Sequence, residues 1–359
     1  MIETTTASAE FSDPAARPAP GQEPARILTI ILNYKTPEMT LDCATAALEQ
    51  MEELQGEIVI IDNGSADGSF EQLQKAVHAR GWVDSGRLRL IASEHNGGFG
   101  AGMNIGFRLG LSDGSAPEFY YLLNSDAFVQ PGAICTLRNF LQTTPTAGLV
   151  GSYIRGTDSI PHCTAFRFPT IAGEFESSVR TGIVTRLLKD AVVPMEIPTK
   201  PTQLDWTAGA SLMIRREVID AVGGFDETFF LYFEETELCH RAARAGWSTH
   251  YLPESEVAHV GSASTGMKEW QRTPQYWFDS RLHYFLSTHG RAYTVAATLA
   301  LVTGSLLYSL RRLVSDKPAS DPPHFLRDLI CHHVSAIFRH PKDRPIKTCQ
   351  TPSQPEEQK

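Results

Sequence analysis

The chain has 359 residues, of which 42% are hydrophobic and 20% are charged, and its formal net charge is −9. This is an ordinary globular composition, long enough for one large domain with appendages or for two smaller domains. The net negative charge argues against a nucleic-acid partner. The six cysteines show no C-x-x-C pair and no metal spacing, which indicates reduced thiols in a cytoplasmic protein.

The first half of the chain alternates between predicted strands and predicted helices. Residues 1–25 are rich in Ala, Pro, Thr and Glu and predict a disordered tail. The apolar run "RILTIILNY" that follows predicts a strand buried on both faces. Further strands are predicted in "EIVIID", "RLRLIAS" and "FYYLLNSDAFV", with a helical pattern after each of the first three strands. This order indicates an α/β fold with a mainly parallel sheet and helices on both faces.

Polar side chains stand at the end of each of these predicted strands. In parallel sheets of this kind, ligands bind at the carboxyl ends of the strands. These side chains are therefore candidates for binding a ligand. They are Asn33, Asp62, Asn63, Asn96, Asn124 and Asp126.

The stretch "NGGFGAGMN", residues 96–104, predicts a glycine-rich loop that enters a helix. Its glycines do not match G-x-G-x-x-G, it follows the third strand rather than the first, and the chain has no P-loop G-K-S/T sequence. The loop instead favours close approach of backbone to a nucleotide or to a nearby acidic loop. Asn104 is expected either to turn its amide towards that ligand or to cap the helix.

Residues 152–203 are less regular and predict loops and a variable segment. Beyond them, a strand is predicted at 210–214 with a short helix after it, and one or two strands end at His259. Residues 234–245 predict a helix whose first residues include Glu234, Glu235 and Glu237, directly after a run of large aromatic residues. Acidic residues favour a helix N-terminus, but carboxylates beside aromatic rings also resist ionisation, which suits acid–base catalysis or metal binding.

The C-terminal part changes character after residue 290. Residues 294–310 form a 17-residue stretch without a charge. A spanning helix needs about 20 apolar residues, so this stretch favours an interfacial, re-entrant or buried packing helix over a true span. Residues 294–348 carry eight Lys and Arg against four Asp, which favours contact with an anionic membrane surface over a solvated basic tail. We therefore predict a helical, membrane-associated region at 291–345 and a disordered tail at 346–359.

Six segments, taken in chain order, resemble a family 2 glycosyltransferase with the GT-A fold. They extend from about Ile27 to about His289, roughly 260 of the 359 residues, and assign 26–290 to the GT-A domain. Within the family, "DNGSADGS" and "GGFDETFF" are most similar to rhamnosyltransferase-like enzymes of bacterial cell-surface polysaccharide assembly. The segments are "ILNYKTP", "VIIDNGSADGS", "NGGFGAGMNIG", "LLNSDAFVQPGAI", "GASLMIRREVIDAVGGFDETFFLYFEETELCHRAARAGW" and "AHVGSAST".

The resemblance implies an inverting transfer of a sugar from a nucleoside-diphosphate donor to a hydroxyl of a glycan or lipid-linked glycan. It suggests dTDP-rhamnose as donor. The cysteine pattern and the basic, apolar C-terminal region predict a location in the cytoplasm, peripheral at the inner membrane. The diphosphate leaving group needs charge neutralisation, usually by Mg²⁺ or Mn²⁺ held by carboxylates. The acceptor hydroxyl needs a general base.

Site residues follow from the same resemblance by motif position. The nucleotide-sugar set is Asn33, Asp62, Asn63, Asn104, Asn124 and Asp126. Asn63 departs from the Asp-Asp often found there, and Asn124 replaces the first acid of the "DXD" motif. Asp126 is left as the carboxylate able to hold the metal. His259 matches a family position that completes the metal site, although a histidine at a strand end is by itself more often structural.

The "FEETEL" segment falls where the family commonly has Glu-Asp with the second acid as general base. We therefore predict Glu235 as the base, with Glu234 orienting the acceptor or a neighbouring group. Asp205 and Trp206, just before "AGA", are weaker candidates for contacting the acceptor or the donor sugar.

Three rival functions remain at the level of sequence. A GT-A protein whose acids have drifted would bind nucleotide sugar or glycan without turnover, and Asn124 and the Glu-Glu pair favour it. A nucleotidyltransferase would carry a glycine- and basic-rich loop after the first strand, where this chain has "NYKTPEM". A processive polysaccharide synthase would carry several membrane spans and Q-x-x-R-W, which "EWQRTPQYW" matches only faintly.

Overall fold

The computed structural model describes residues 26–261, 271–314 and 321–338. Within these residues a ten-stranded mixed sheet forms the centre, and a two-stranded ribbon, β8 with β10, lies beside it. The strands in chain order are β1 (Ile27–Asn33), β2 (Gly56–Asp62), β3 (Leu88–Ala92), β4 (Phe119–Asn124), β5 (Ala127–Val129), β6 (Ala147–Arg155), β7 (Pro161–His162), β8 (Ala165–Phe166), β9 (Thr202–Leu204), β10 (Trp206–Thr207), β11 (Ser211–Arg215) and β12 (Ser248–His259).

The first half of the sheet is parallel, as the alternation of strands and helices predicts. The strand order is β3-β2-β1-β4-β11-β6-β12-β5, with β1 parallel to both β2 and β4. β11 is antiparallel to β4 and β6, which makes the sheet mixed. The register places Asn33 beside Asp62 and Leu32 beside Asn124, so three strands end at one edge.

Helices cover both faces of this sheet. α1, α2 and α4 pack on one face through residues such as Cys43, Leu73 and Ile134, and α3, α7 and α8 pack on the other. The predicted α/β architecture, a mixed sheet with a parallel half and helices on both faces, is confirmed. The helices are α1 (Pro37–Gln50), α2 (Ser69–Ala79), α3 (Phe99–Leu109), α4 (Ala133–Thr143), α5 (Ile171–Val179), α6 (Gly182–Leu187), α7 (Arg216–Val222), α8 (Glu234–Arg244), α9 (Gln275–His289), α10 (Arg291–Arg312) and α11 (Phe325–Phe338).

The middle of the chain is more regular than its sequence suggests, and the prediction of loops over 152–203 is wrong in part. β6 extends to Arg155 and lies inside the sheet between β11 and β12. Gly151 weakens its strand pattern, yet a Cβ there would lie 2.6 Å from Thr207, so the packing requires glycine. α5 is a short helix capped by the Thr170 hydroxyl, which accepts from the Gly173 N–H at 3.0 Å.

The C-terminal helices pack on the sheet domain through α5 and α9. Gly304 of α10 lies against the backbone of α5, and Arg281 of α9 forms a buried ion pair with Glu174 of α5 at 2.5 Å. By length and composition alone, α10 is apolar enough to cross a membrane, and about a third of its most apolar stretch is buried. The predicted tails at 1–25 and 346–359 lie outside the described residues, as do 339–345.

Candidate active site

The ends of β1 and β2 are joined by a buried hydrogen-bond network. Asn33 donates from its amide to Asp62 at 2.6 Å, and the Ser65 hydroxyl and N–H both donate to the same carboxylate. On its other side, Asn33 accepts from the Thr40 hydroxyl of α1 at 2.7 Å. This network fixes the rotamers of Asn33 and Asp62 at the edge where ligands of such sheets bind.

A cleft of about 530 Å³ opens beside this network. It lies at the ends of β2 and β3 and is bounded on the far side by the start of α2. Its lining combines carboxylates with glycine and alanine backbone: Asp62, Gly64, Ala66, Gly68, Phe70, Glu71, Ala92, Ser93 and Glu94.

The side chain of Asn63 forms hydrogen bonds with the glycine loop. Its side-chain NH₂ group donates to Asn96 Oδ1 at 2.9 Å and to the Gly98 carbonyl at 3.0 Å. Both donor positions of the amide are thus used within the protein, and the side chain is buried. Asn63 therefore holds the glycine loop against the end of β2. Its contact with the nucleoside stays a prediction.

The glycine loop meets the segment that leads into α8. Gly98 has φ = 92°, and a Cβ there would lie 1.9 Å from the carbonyl oxygen of Phe230. The N–H of Phe99 donates to that same carbonyl at 3.1 Å. The backbone of the glycine loop therefore lies close to the segment that precedes the acidic start of α8. This is one of the two contacts that the loop sequence predicts.

The side chain of Asn104 forms hydrogen bonds with residues 225–227. Its NH₂ group donates to the carbonyl of Phe225 and to Glu227, each at 2.9 Å, and its carbonyl oxygen accepts from the Phe225 N–H at 2.8 Å. The amide is therefore turned towards residues 225–227 and away from the strand-end network. The asparagine joins α3 to a loop more than a hundred residues later and does not cap the helix, and its contact with the nucleotide sugar stays a prediction.

Asp126 and His259 are brought together by strand pairing. β5 pairs with the end of β12, with Ala127 opposite His259, and Val260 donates its N–H to the carbonyl of Asp126. The His259 Nε2 atom lies 2.9 Å from Asp126 Oδ1, and both side chains are mostly buried. Two positions that the sequence predicts as one metal site, 133 residues apart, therefore share a hydrogen bond.

The fit of this pair to a divalent cation depends on its donor set. Among the described residues there is no group of three or more His, Cys, Asp and Glu side chains with metal-site geometry. One carboxylate and one imidazole, with the amide oxygen of Asn124 nearby in sequence, suit a cation that completes its coordination with phosphate oxygens and water. The residues fit a metal that binds together with a diphosphate ligand.

The start of α8 carries the second group of acids. Glu234 is buried with its Oε2 atom unpartnered, while Glu235 accepts from the N–H of Gly209 at 3.0 Å. Burial, and then the neighbouring carboxylate, raises the pKa of Glu234 well above its usual value. Burial also raises the pKa of Glu235, although backbone N–H groups, including that of Gly209, oppose the shift.

The backbone before α8 is strained. Tyr232 and Phe233 are consecutive non-glycine residues with φ of 71° and 69°, in the left-handed region. Phe233 packs on Trp277 and Tyr284 of α9, with ring centroids 6.0 and 5.5 Å apart. Aromatic packing against α9 therefore holds the turn that presents both glutamates.

A short chain of hydrogen bonds connects the two groups of acids. Gly209 donates to Glu235, and the next residue, Ala210, accepts from the N–H of Asn124 at 3.1 Å. Asn124 lies two residues before Asp126. The start of α8 and the Asp126–His259 pair thus meet at the same edge of the sheet, at the ends of β4 and β12.

Asp205 and Trp206 hold the segment around β8. The Asp205 carboxylate accepts from the Phe168 N–H at 2.7 Å, and the Trp206 indole donates to the Arg167 carbonyl at 2.9 Å. The indole also stacks on Phe166 with centroids 4.2 Å apart. Both polar groups act within the protein, and contact with a sugar remains a prediction for the partly exposed Trp206 ring.

Two residues of the site escaped the sequence reasoning. Ser65 binds Asp62 through two hydrogen bonds, and its position three residues after a strand-end acid in "DNGS" is the signal that marks such a turn. Gly209 holds Glu235, and a Cβ there would lie 2.7 Å from Oε1 of that glutamate. No local pattern links residue 209 to residue 235, because the contact depends on tertiary packing.

Comparison with known families identifies the family of this chain. The family model described as glycosyl transferase family 2 matches residues 28–199, and that described as glycosyl transferase family group 2 matches residues 120–315. The chain belongs to the family 2 glycosyltransferases. It is an enzyme of the glycosyltransferase class, as its sequence motifs predict.

Relatives of this glycosyltransferase include several rhamnosyltransferases. It is 30% identical over 252 residues to an N-acetylglucosaminyl-diphospho-decaprenol L-rhamnosyltransferase of Mycobacterium tuberculosis, which covers 67% of this chain and 78% of the relative. It is 25% identical over 142 residues to the rhamnosyltransferase WbbL of Escherichia coli, covering 40% and 52%. The predicted resemblance to rhamnosyltransferase-like members of the family is confirmed.

Solved structures support the fold of this glycosyltransferase. A mannosyltransferase of Pyrobaculum calidifontis, in complex with GDP-Man and Mn²⁺, superposes with a TM-score of 0.54 at 15% identity, covering 93% of this chain and 84% of that one. GalNAc-T7 with UDP, GalNAc and Mn²⁺ gives a TM-score of 0.55 at 14% identity, covering 87% and 55%.

Proposed function

We propose that this glycosyltransferase moves a sugar, with dTDP-rhamnose as the candidate donor, onto a hydroxyl of a lipid-linked glycan with inversion at the anomeric carbon. The hydrogen-bonded path from Glu235 through Gly209 and Ala210 to Asn124 supports the proposal, because it connects the candidate base with the strand end that carries the candidate diphosphate site. The similarity to a rhamnosyltransferase whose name includes a diphospho-decaprenol acceptor supports the choice of donor and acceptor class.

The donor side binds and orients the nucleoside diphosphate. The Asn33–Asp62–Ser65 network is set before the ligand arrives, so little ordering of side chains remains to oppose binding. Asp126, His259 and Asn124 would hold Mg²⁺ or Mn²⁺, which neutralises charge on the departing diphosphate. Asp126 is the carboxylate of this set.

The acceptor side removes a proton from the attacking alcohol. Glu235 is the candidate base, because its carboxylate keeps one hydrogen bond to Gly209 and is held at the helix N-terminus. The raised pKa of Glu235 makes its carboxylate a stronger base towards the acceptor hydroxyl. Glu234, buried directly beside it, is the candidate for orienting the acceptor, and burial and then the Glu235 carboxylate raise the pKa of Glu234.

A place at the cytoplasmic face of the inner membrane follows from this choice of acceptor. A lipid-linked glycan stays at the bilayer, and a basic, apolar region such as 291–345 suits peripheral contact with its surface. The partners proposed are thus a nucleotide sugar, a lipid-linked glycan and a membrane, with no nucleic acid.

A second candidate function is binding of nucleotide sugar or glycan without turnover. Asn124 in place of the first acid of the motif favours it, because one carboxylate holds a cation less firmly than two. Under this alternative the site binds its ligands but does not release nucleoside diphosphate.

The experiment measures release of nucleoside diphosphate from UDP-, dTDP- and GDP-sugars with Mn²⁺ or Mg²⁺ and a lipid-linked acceptor, after a thermal-shift screen for donor binding. Glu235→Gln is expected to reduce turnover by about 10²–10⁴-fold with donor binding retained. Glu217→Gln, an exposed change on α7, is the control and should leave turnover unchanged. Equal turnover in wild type and Glu235→Gln would exclude Glu235 as base, and binding without turnover would favour the second candidate.

A further inference from the structure

α10 presents an apolar face to solvent. Its inner face, including Thr294, Ala297, Leu301, Gly304 and Tyr308, is buried against α5 and α9. Its opposite face carries large apolar side chains that are between 50% and 81% exposed. Together with Leu313, which directly follows the helix, we call these the outer stripe: Val295, Leu299, Leu306, Leu310 and Leu313.

The outer stripe is unusual for a surface helix. Solvent-exposed faces of helices normally carry charged and polar residues. Here the spacing of three, four or seven residues aligns the exposed apolar side chains along roughly 27 Å of the helix. An exposed apolar patch of this extent marks a surface that binds a membrane or another protein.

α6 adds to this surface at the C-terminal end of α10. Arg311 donates to the carbonyl of Arg180 at 2.7 Å, and the Arg180 guanidinium lies over the ring of Tyr308 at 5.0 Å. α6 begins two residues after Arg180. Its residues Ile183 and Leu187, one turn apart, are 74% and 76% exposed. The outer stripe together with these two side chains is defined here as the docking surface.

The charges around the docking surface select its partner. Neither α6 nor α10 contains an aspartate or a glutamate, whereas Arg186, Arg291 and Arg312 are exposed on them. Arginines beside apolar side chains match a bilayer with anionic headgroups above its acyl chains. Two copies of the chain meeting through this surface would instead bring the arginines of α6 and α10 together, and neither helix carries a carboxylate.

We propose that the docking surface lies in the plane of an anionic membrane, with the outer stripe of α10 and Ile183 and Leu187 of α6 inserted between lipids. α10 does not span the bilayer, since its inner face is occupied by α5 and α9. The inference rests on the proposed function in one respect, because a lipid-linked acceptor would lie at the same membrane. A membrane-bound α10 also brings the active site to the bilayer, because α9 contacts both α10 and the turn before α8.

The experiment measures co-sedimentation of the full chain with vesicles of phosphatidylcholine alone and with added phosphatidylglycerol. Leu299→Glu combined with Leu310→Glu should lower the partition coefficient for anionic vesicles by at least about tenfold. Ile183→Glu on α6 should lower it in the same direction. Ile160→Glu, an equally exposed apolar position in the turn before β7, is the matched control and should bind as the wild type does.

Three results would overturn the proposal. The wild type could stay in the supernatant with anionic vesicles, or the double variant could bind as strongly as the wild type. The third is a wild-type dimer in sedimentation velocity that the double variant converts to monomer, with vesicle binding unchanged. The substituted leucines are exposed, so unchanged thermal unfolding is expected and separates lost binding from lost folding.

Failure here is distinguishable from failure of the proposed function. Vesicles without glycolipid test the membrane surface itself, whereas release of nucleoside diphosphate tests the chemistry. Point variants are preferable to deletion of residues 291–359. Deletion would uncover the buried face of α5 and would remove Thr298 of α10, which accepts a hydrogen bond from Arg281. A protein that turns over donor but ignores vesicles would contradict this inference alone.

Discussion

The two halves of the active site differ in how well their polar groups are satisfied. We call the ends of β1, β2 and β4 the donor edge and the start of α8 the acceptor edge, after their roles in the proposed function. At the donor edge, the buried carboxylate of Asp62 accepts hydrogen bonds from the Asn33 amide and from the N–H and hydroxyl of Ser65. At the acceptor edge, Glu234 and Glu237 each leave a buried carboxylate oxygen without a partner. The acceptor edge also contains the two consecutive left-handed residues before α8.

This difference separates binding from chemistry. A saturated network holds one conformation and suits recognition of a ligand that is the same in every turnover. Buried carboxylate oxygens without a partner and a strained turn lower stability, and such features persist where the surrounding structure enforces them, commonly at functional sites. Under the proposed function, the acceptor edge is therefore expected to carry out the reaction and the donor edge to bind the nucleotide sugar.

After Glu235→Gln, the largest expected effect comes from the proposed metal position on the donor edge. Asp126→Asn keeps the shape of the side chain and removes its charge, so turnover should fall by about 10²–10³-fold while the fold is retained. Initial rates measured across a range of Mn²⁺ concentrations would show a weaker response to the metal. Asp220→Asn, an exposed acid of α7, serves as control. An unchanged metal response would remove Asp126 from the proposed site.

The junction between the two halves should be sensitive to a single methyl group. Gly98→Ala places a Cβ against the carbonyl of Phe230, and the free energy of unfolding should fall by more than about 2 kcal/mol. Gly114 also has a positive φ, 80°, but nothing lies within 4 Å of the Cβ that Gly114→Ala would add. Its cost should be only about 1 kcal/mol, from the left-handed backbone. Equal losses in urea unfolding would show that the contact with Phe230 does not matter.

The smallest expected effect concerns the pH dependence of stability at the acceptor edge. Because the pKa of Glu234 is raised in the folded state, the folded chain binds more protons than the unfolded chain above the ordinary glutamate pKa. Its contribution to stability is present at low pH and is lost as pH rises through the folded-state pKa.

Glu234→Gln removes this loss. At about pH 4 the variant should unfold at the same temperature as the wild type. At about pH 8 it should unfold at a temperature a few degrees higher than the wild type. The exposed change Glu217→Gln should give no such divergence. A Glu234→Gln protein that is less stable than the wild type at the higher pH would mean that the buried carboxylate has a stabilising partner.

Much of the fold could be predicted from local sequence. The apolar runs that became β1, β2 and β4 alternate with helical patterns, and the strand ends carry the side chains that meet at one edge. β6 escaped prediction because Gly151 and Ser152 interrupt its apolar pattern. Only the contact of Gly151 with Thr207, a residue on β10, explains why a glycine lies in a central strand.

The candidate site was predicted in its residue types but not in all of its contacts. Asn33, Asp62, Asp126 and His259 were predicted from their places at strand ends and in motifs. Asn104, by contrast, serves a loop at Phe225, and nothing in its own neighbourhood indicates that partner. An amide can face either way from a helix, so the choice depends on what the rest of the chain packs against it.

By itself, the sequence determined the parallel strands, the glycine loop and the acidic start of α8, because periodicity and turn chemistry act between residues close in the chain. Only the tertiary structure decided that Gly209 would hold Glu235 and that His259 would reach Asp126. Those contacts depend on strand order and on the packing of β11 and β12, and their free energy is gained only when the whole sheet has formed.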